Sequence, residues 1–378
     1  MRFTPHLVTS FRVPPNAPRV PGTASTADTP AVQRWPHRRL IVIRRDDELS
    51  AYDLDRLVAG DDTPAARFPA PWPRGVGGVD AVSPTLDLAV FSGPHALHAI
   101  DATGTVSWQV RHACWVPHCL SLHESYEEYA GDGEHRHPDQ GSCWISADGS
   151  TVWAHVRTPL PEDAEPEYDE AWLVIDARDG RVLGRVPTGT AAAGSHHVPH
   201  PDPGQMGLSI GEGQDGVPLR WGRWDGVRFA VTSIGDDDRS LIDVSPSGEL
   251  FLTVAHHQGD LAVHRLADGA VLHEVAADQL QSHRASDSAE EPYWDYVCGF
   301  VDERTVIASA AEDDEEEYGA QRHWLVDATQ GEVLGRVEYP LPVSESPMAL
   351  GDGTWLTCGD EPFQLLLWSL DPVKARVS

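Results

Sequence analysis

Short apolar runs recur along the whole chain, most of them alternating with polar residues and bounded by Ser-Pro, Asp-Gly or Ser-Gly steps. Alternation of this kind predicts half-buried β-strands joined by tight turns, and no segment carries a sustained 3.6-residue helical period. The clearest pattern runs from Leu241 to Val275, where SPSG closes one hairpin and ADG closes a second. The same order of strand, turn, strand, gap, strand, turn, strand returns in CWISADGSTVWAHV followed by AWLVIDARDGRVLGRV, ending at Val186. It returns again in FVDERTVIASA, from Phe300, followed by HWLVDATQGEVLGRV, ending at Val337. ARDGRVLGRV and ATQGEVLGRV are near-duplicates, so the unit is an internal repeat. Weaker copies cover Asp80–Val110 and His197–Ile234. RLIVIRRDDELSAYDL and ARFPA supply a further copy near the start. PMALGDGTWLTCG and FQLLLWSL supply three strands at the end, and the N-terminal HLVTSFRV is the natural fourth.

Seven units of roughly 45 to 50 residues, each with four strands, are what a β-propeller requires. A single twisted sheet cannot bury both faces, but sheets packed radially bury one another. The predicted fold is therefore all-β, a seven-bladed propeller of four-stranded blades closed by the N-terminal strand. It forms one domain over residues 1–378, with 14–30 as a linker. VSPTLD, ISADGS, VSPSGE and the strand–Asp-Gly–strand endings resemble those of the YVTN/WD40-like propeller repeat families. That resemblance implies the fold and leaves the function open, because propellers host both binding proteins and enzymes. Trp144, Trp153, Trp172 and Trp324 fall on strands and are expected to pack between blades, with ligand stacking as the alternative.

Strand counting puts the long connections at one end of the blades, taken here as the top face: 112–140, 159–170, 276–292 and 311–321. The hairpins at Ser83-Pro84, Asp148-Gly149, Ser247-Gly248 and Asp268-Gly269 belong to the other end and are short. Loops longer than about 12 residues in a compact fold usually carry function or lack order, so the top face is the expected working face.

Charge narrows the partners. With 28 basic and 59 acidic residues the net charge is −31, which disfavours nucleic acid and anionic membranes. The acidic runs Glu162–Glu170 and Glu312–Glu317 suit a cationic partner, or else only solvate the loops. No apolar run approaches the ~18 residues of a membrane span. MRFTPHLVTSFRVPP lacks the apolar core of a signal peptide, and the five cysteines, Cys114, Cys119, Cys143, Cys298 and Cys358, do not form a disulfide framework. A cytoplasmic monomer is expected. Lys374 is the only lysine, and the richness in Ala, Gly, Pro, Trp and Asp resembles GC-rich, actinobacterial-type coding.

Histidine is the unusual residue, with 19 copies. One group holds His112, Cys114, His118, Cys119 and His123, followed by His135 and His137; another holds His196, His197 and His200, followed by Asp202. His112-x-Cys114 and His135-x-His137 place two ligands on one side of an extended chain, and a third ligand must come from elsewhere. The expected ligands of a divalent metal are His112, His135, His137, His196, His197 and His256, with Asp202 as the carboxylate. GLSIGEG, around Ser209, has the spacing of a nucleophile elbow but reads as a strand, without the following helix that the elbow needs. GEGQDG lacks the lysine of a phosphate loop, and no cofactor motif is present. The leading functional expectation is a non-enzymatic interaction or ligand-binding propeller. It would take a protein, or a cationic or small-molecule ligand, on an acidic, His-rich top face. The alternative is a metal-dependent lyase or hydrolase, with a His-ligated divalent ion at the mouth of the central channel. A third reading is a scaffold whose acidic loops keep a large β-protein soluble.

Overall fold

The computed structural model describes residues 1–13, 29–119, 121–135, 138–163, 169–235, 238–283, 292–311 and 322–372. The fold is a seven-bladed β-propeller of four-stranded antiparallel blades. By compactness the chain divides into two units, one of 17–53 and 63–237, the other of 1–16, 54–62 and 238–378.

The first of these units holds four blades. Blade one comprises Ala31–Trp35, Arg38–Arg44, Glu48–Asp53 and Ala66–Pro69, and blade two Ala81–Val82, Leu88–Ser92, Ala96–Asp101 and Val106–Arg111. Blade three comprises Ser142–Ile145, Thr151–Arg157, Glu170–Asp176 and Val182–Pro187, and blade four Gly194–Pro199, Gln205–Gly211, Leu219–Trp224 and Phe229–Ser233. The core lies between the sheets. Val90, Leu97 and Ala99 of blade two share a cluster with Cys143, Ile145, Val152 and Leu173 of blade three. Trp153 and Trp172 of blade three pack with Met206 and Leu208 of blade four. The four strand tryptophans are buried, as inter-blade packing requires.

The other unit holds three blades. Blade five is Arg239–Val244, Leu250–Ala255, Asp260–Arg265 and Val271–Ala276. Blade six is Tyr293–Phe300, Thr305–Ala311, Arg322–Asp327 and Glu332–Val337. Blade seven takes Ser344–Ala349, Thr354–Cys358 and Gln364–Ser369 from the end of the chain, and its fourth strand is His6–Arg12. The N-terminal strand thus occupies the expected place. Unanticipated is Arg2–Phe3, which adds a parallel fifth strand to Glu332–Val337 of blade six.

The turn chemistry explains why the repeat looks as it does. Ser83, Ser146 and Ser245 each accept a backbone N–H across the first hairpin of their blade, from Leu88, Thr151 and Leu250. In the near-duplicate second hairpins, Gly180 and Gly331 sit at φ 75 and 66, a left-handed conformation that glycine adopts without a Cβ clash.

Long connections gather at one strand end as expected, with one departure. The third and fourth strands of blade one are joined by a longer segment at the opposite end, where Leu54–Val58 forms a short helix belonging to the three-blade unit. The acidic run 312–317 and the linker 14–28 lie outside the described residues. Among the described residues no helix is long and apolar enough to cross a membrane.

Candidate functional site

The connection from Arg111 to Ser142 is the longest described in the four-blade unit, and it is built against the blade ends rather than hung from them. Ala113 N–H lies between the carbonyls of Arg157 and Pro159, and Trp115 N–H donates to Pro94. One guanidinium N–H of Arg157 reaches the carbonyls of both Cys114 and Val116 at 3.1 Å. Trp115, His112 and Tyr129 are buried in this connection, and Trp115 joins the cluster of Trp144, Trp153 and Trp172, so the loop is packed into the blades. Gly141 closes the segment beneath Trp115. A Cβ there would lie 2.9 Å from the indole and 2.3 Å from the His155 carbonyl, so only glycine permits the approach.

Within this loop four side chains converge. Cys114, Cys119, His123 and His135 each offer one ligand atom, and all four atoms lie within 4.8 Å of one another. Tyr129 stacks on the His135 ring at 4.7 Å, and its hydroxyl lies 2.5 Å from His95 Nδ1. Burial, followed by repulsion from His112, His98 and His123, pushes His95 down to about 3, so it is neutral. Around this partly buried knot the loop exposes carboxylates: Glu124, Glu127, Glu128, Asp132 and Glu134.

A second polar cluster lies where the first strands of blades three and four run side by side. Ser195 Oγ is 2.9 Å from Ser142 Oγ and 3.0 Å from His155 Nδ1. Ser142 Oγ is 2.9 Å from His197 Nδ1, and Trp172 Nε1–H donates to His197 Nε2 at 2.9 Å. Glu170 accepts from Thr190 Oγ1–H and Ala192 N–H, and its Oε2 lies 3.2 Å from His155 Nε2. Ser142, His155, Glu170 and His197 are all buried. Sealed in this way, the cluster acts as a seam that fixes blade three to blade four.

Among the described residues of the four-blade unit, those expected as metal ligands are not brought to one point. His135 alone joins the four-residue cluster. His112 is buried, with Nδ1 against the Ala113 carbonyl and its ring edge-on to Trp115; burial lowers it to about 4. His197 belongs to the seam, where burial, then His155 and His196, hold it well below its ordinary range. His196 is the next residue on the same strand, so its side chain projects from the opposite face of the sheet. Asp202 sits in the hairpin at the other strand end, accepting from Gly204 N–H and Gln205 Nε2–H. His256 belongs to the three-blade unit, 4.0 Å from Asp238. His137 lies outside the described residues. Cys114, Cys119 and His123 stand close together in the sequence, but an i, i+2 spacing on extended chain does not join them into one set. The usable signal was Cys-x4-Cys-x3-His, a spacing suited to a turn.

No protein-family model and no curated protein matches the chain. Among solved structures it is similar to the β-propeller domain of Myceliophteria thermophila Cps50 (Swd1), at 12% identity and a TM-score of 0.50, over 91% of this chain and 99% of that one. It is similar to Kuenenia stuttgartiensis hydrazine synthase, at 11% identity and a TM-score of 0.51, over 93% and 98%. It is likewise similar to Kluyvelomyces marxianus Hsv2, at 7% identity and a TM-score of 0.50, over 87% and 89%. At these identities the likeness establishes the propeller fold and nothing finer.

Proposed function

We propose that this protein is a non-enzymatic interaction propeller whose working surface is the 112–141 connection, and that its partner is a basic protein segment. The observation that carries the reading is the construction of this loop. It is pinned to the blade ends through Arg157, Pro94 and Pro159, packs Trp115 into the blade core, and turns its carboxylates outward. A rigid, elaborated loop on a regular scaffold is how a repeat fold acquires a binding surface. Five exposed acidic side chains over eleven residues, on a chain of net charge −31, would draw a cationic surface and speed its encounter. The buried seam at His155 supports the same reading, since most of its polar groups pair with one another rather than facing a substrate.

The test is a charge-neutralised loop, Glu124→Gln, Glu127→Gln and Glu134→Gln together, compared with the parent protein. Both are immobilised and exposed to cell extract and to a synthetic poly-arginine peptide. The reading expects a defined protein partner and the peptide to be retained by the parent, released by raised salt, and retained at least tenfold less by the variant. Equal retention by both proteins, or retention insensitive to salt, removes it.

A further inference from the structure

We propose that Cys114, Cys119, His123 and His135 bind one zinc ion in a closed tetrahedral site that clamps the loop between blades two and three. The donor set comes first. Two thiols and two imidazoles form an S2N2 set, which selects zinc among common divalent ions. The spacing fits as well. Zn–S of ~2.3 Å and Zn–N of ~2.0–2.1 Å put tetrahedral ligand atoms about 3.3–3.8 Å apart. Cys119 Sγ already lies 3.3 Å from His123 Nε2, and all four ligand atoms fall within 4.8 Å. A shift of about 1 Å in one or two side chains would close the set.

The groups behind the ligands are arranged for the same purpose. His123 Nδ1 lies 3.0 Å from Glu128 Oε2, and His135 Nδ1 lies 3.1 Å from Asp132 Oδ2. A carboxylate only accepts, so each Nδ1 carries a proton, and in the neutral ring the ligand lone pair is then on Nε2. His123 Nε2 is the nitrogen that meets Cys119 Sγ. This is the carboxylate–histidine arrangement that orients ligands in metal sites. His135 Nε2 is buried and has no hydrogen-bond partner, while the side chain as a whole is only 10% exposed. A buried imidazole nitrogen without a partner is costly unless something else fills its lone pair. Val116 N–H points to Cys114 Sγ at 3.5 Å, and the Arg157 guanidinium fixes the carbonyls on either side of that turn.

Four protein ligands leave no open coordination position, so the site is structural rather than catalytic. It ties residues 114–119 to 123 and 135, and so stiffens the same segment that displays Glu124, Glu127 and Glu134. The inference does not depend on the interaction reading. A zinc site could hold this loop whatever the loop binds.

The test uses the full chain, carried through purification without a histidine tag or chelator. Elemental analysis should find about one zinc per chain. Replacing zinc with Co2+ should give the intense visible bands of tetrahedral cobalt together with a thiolate charge-transfer band. Cys119→Ser should abolish that band, and Asp132→Asn or Glu128→Gln should weaken zinc binding about 10- to 100-fold while the fold is retained. His118→Asn, an exposed neighbour outside the set, should bind zinc as the parent does. Because a ligand variant could fail to fold, circular dichroism accompanies each, and chelator-treated parent protein serves as the second arm. Chelation should leave the β-sheet signal intact and open the loop to proteolysis. A folded parent that carries no zinc and yields no tetrahedral cobalt spectrum overturns the proposal. So does zinc binding that survives Cys119→Ser unchanged.

Discussion

His155 and Glu170 meet as diagonal neighbours across the two middle strands of the third blade, with His155 Nε2 3.2 Å from Glu170 Oε2 and both side chains buried. The contact is off the direction of the ring N–H, so it is electrostatic in character rather than a well-aligned hydrogen bond. Burial works to raise the Glu170 carboxyl. His155, the Thr190 hydroxyl and the Ala192 N–H outweigh it and hold the carboxyl below its ordinary range. Removing one partner would strand the other in a dry seam. His155→Ala is expected to cost about 3–5 kcal/mol and Glu170→Gln distinctly less, since the amide oxygen can still accept from Ala192 N–H while the Thr190 hydroxyl can turn to accept from the amide NH2. Urea unfolding followed by tryptophan fluorescence measures both; a loss under about 1 kcal/mol for His155→Ala would show that the seam does not join the blades.

The same seam depends on Trp172, whose indole N–H donates to His197 Nε2. Trp172→Phe keeps an aromatic ring against Trp153 and Phe229 but leaves His197 short of a donor. The expected loss is about 1–3 kcal/mol. Denaturant midpoints of the single and the Trp172→Phe/His197→Ala double variant separate the hydrogen bond from packing, because the second change should then cost less in the variant than in the parent.

Gly222 marks the tightest aromatic packing between blades three and four. A Cβ there would stand 2.6 Å from Trp153, 2.8 Å from Trp172 and 3.0 Å from Phe229. Three large rings cannot retreat together in a filled core. Gly222→Ala is expected to destabilise by about 1–3 kcal/mol through overpacking, despite alanine's smaller loss of chain entropy. Thermal unfolding at fixed protein concentration checks it, and an unchanged or raised Tm contradicts the packing argument.

Stability should decline on acidification before the carboxylates titrate. Burial chiefly lowers His264 from 6.5 to about 4; Arg239 adds to the fall, while the Gly269 carbonyl opposes it. Between those values the unfolded chain takes up a proton that the folded chain refuses. The stabilisation is therefore complete above pH 6.5 and is lost as the pH falls toward 4. At about 1.4 kcal/mol per pH unit this one residue contributes on the order of 3 kcal/mol. Urea midpoints between pH 7.5 and 4.5 should fall steeply for the parent and less steeply for His264→Gln. Parallel curves would remove His264 as a source of the slope.

Much of the fold was legible before any coordinates, because its rules are local. Ser-Pro and Asp-Gly turns work through their own side chains, as Ser83, Ser146 and Ser245 do, and alternation reports a strand's buried face directly. The short Arg2–Phe3 strand was not legible, since two residues carry no period and their pairing with Glu332–Val337 is set only by where the chain enters blade six. The site was legible only in part. The sequence singles out His135 and pairs Cys114 with His112 rather than with Cys119, while Cys119 and His123 stand in a dense group without an assigned geometry.

Amino-acid order alone settled the repeat, the count of blades, the place of the N-terminal strand in the last blade and the strand end that carries most of the long connections. Each of these follows from periodicity and turn residues acting over a few positions. Tertiary structure decided which histidines meet. His123 and His135 are twelve positions apart and converge only because the loop folds back on Tyr129. His155 and Glu170 meet through the register of two paired strands in blade three, and Ser195 joins them only because blade four lies alongside. Convergence of side chains depends on the path of the backbone through space, and a one-dimensional spacing rule records that path only where the chain is regular.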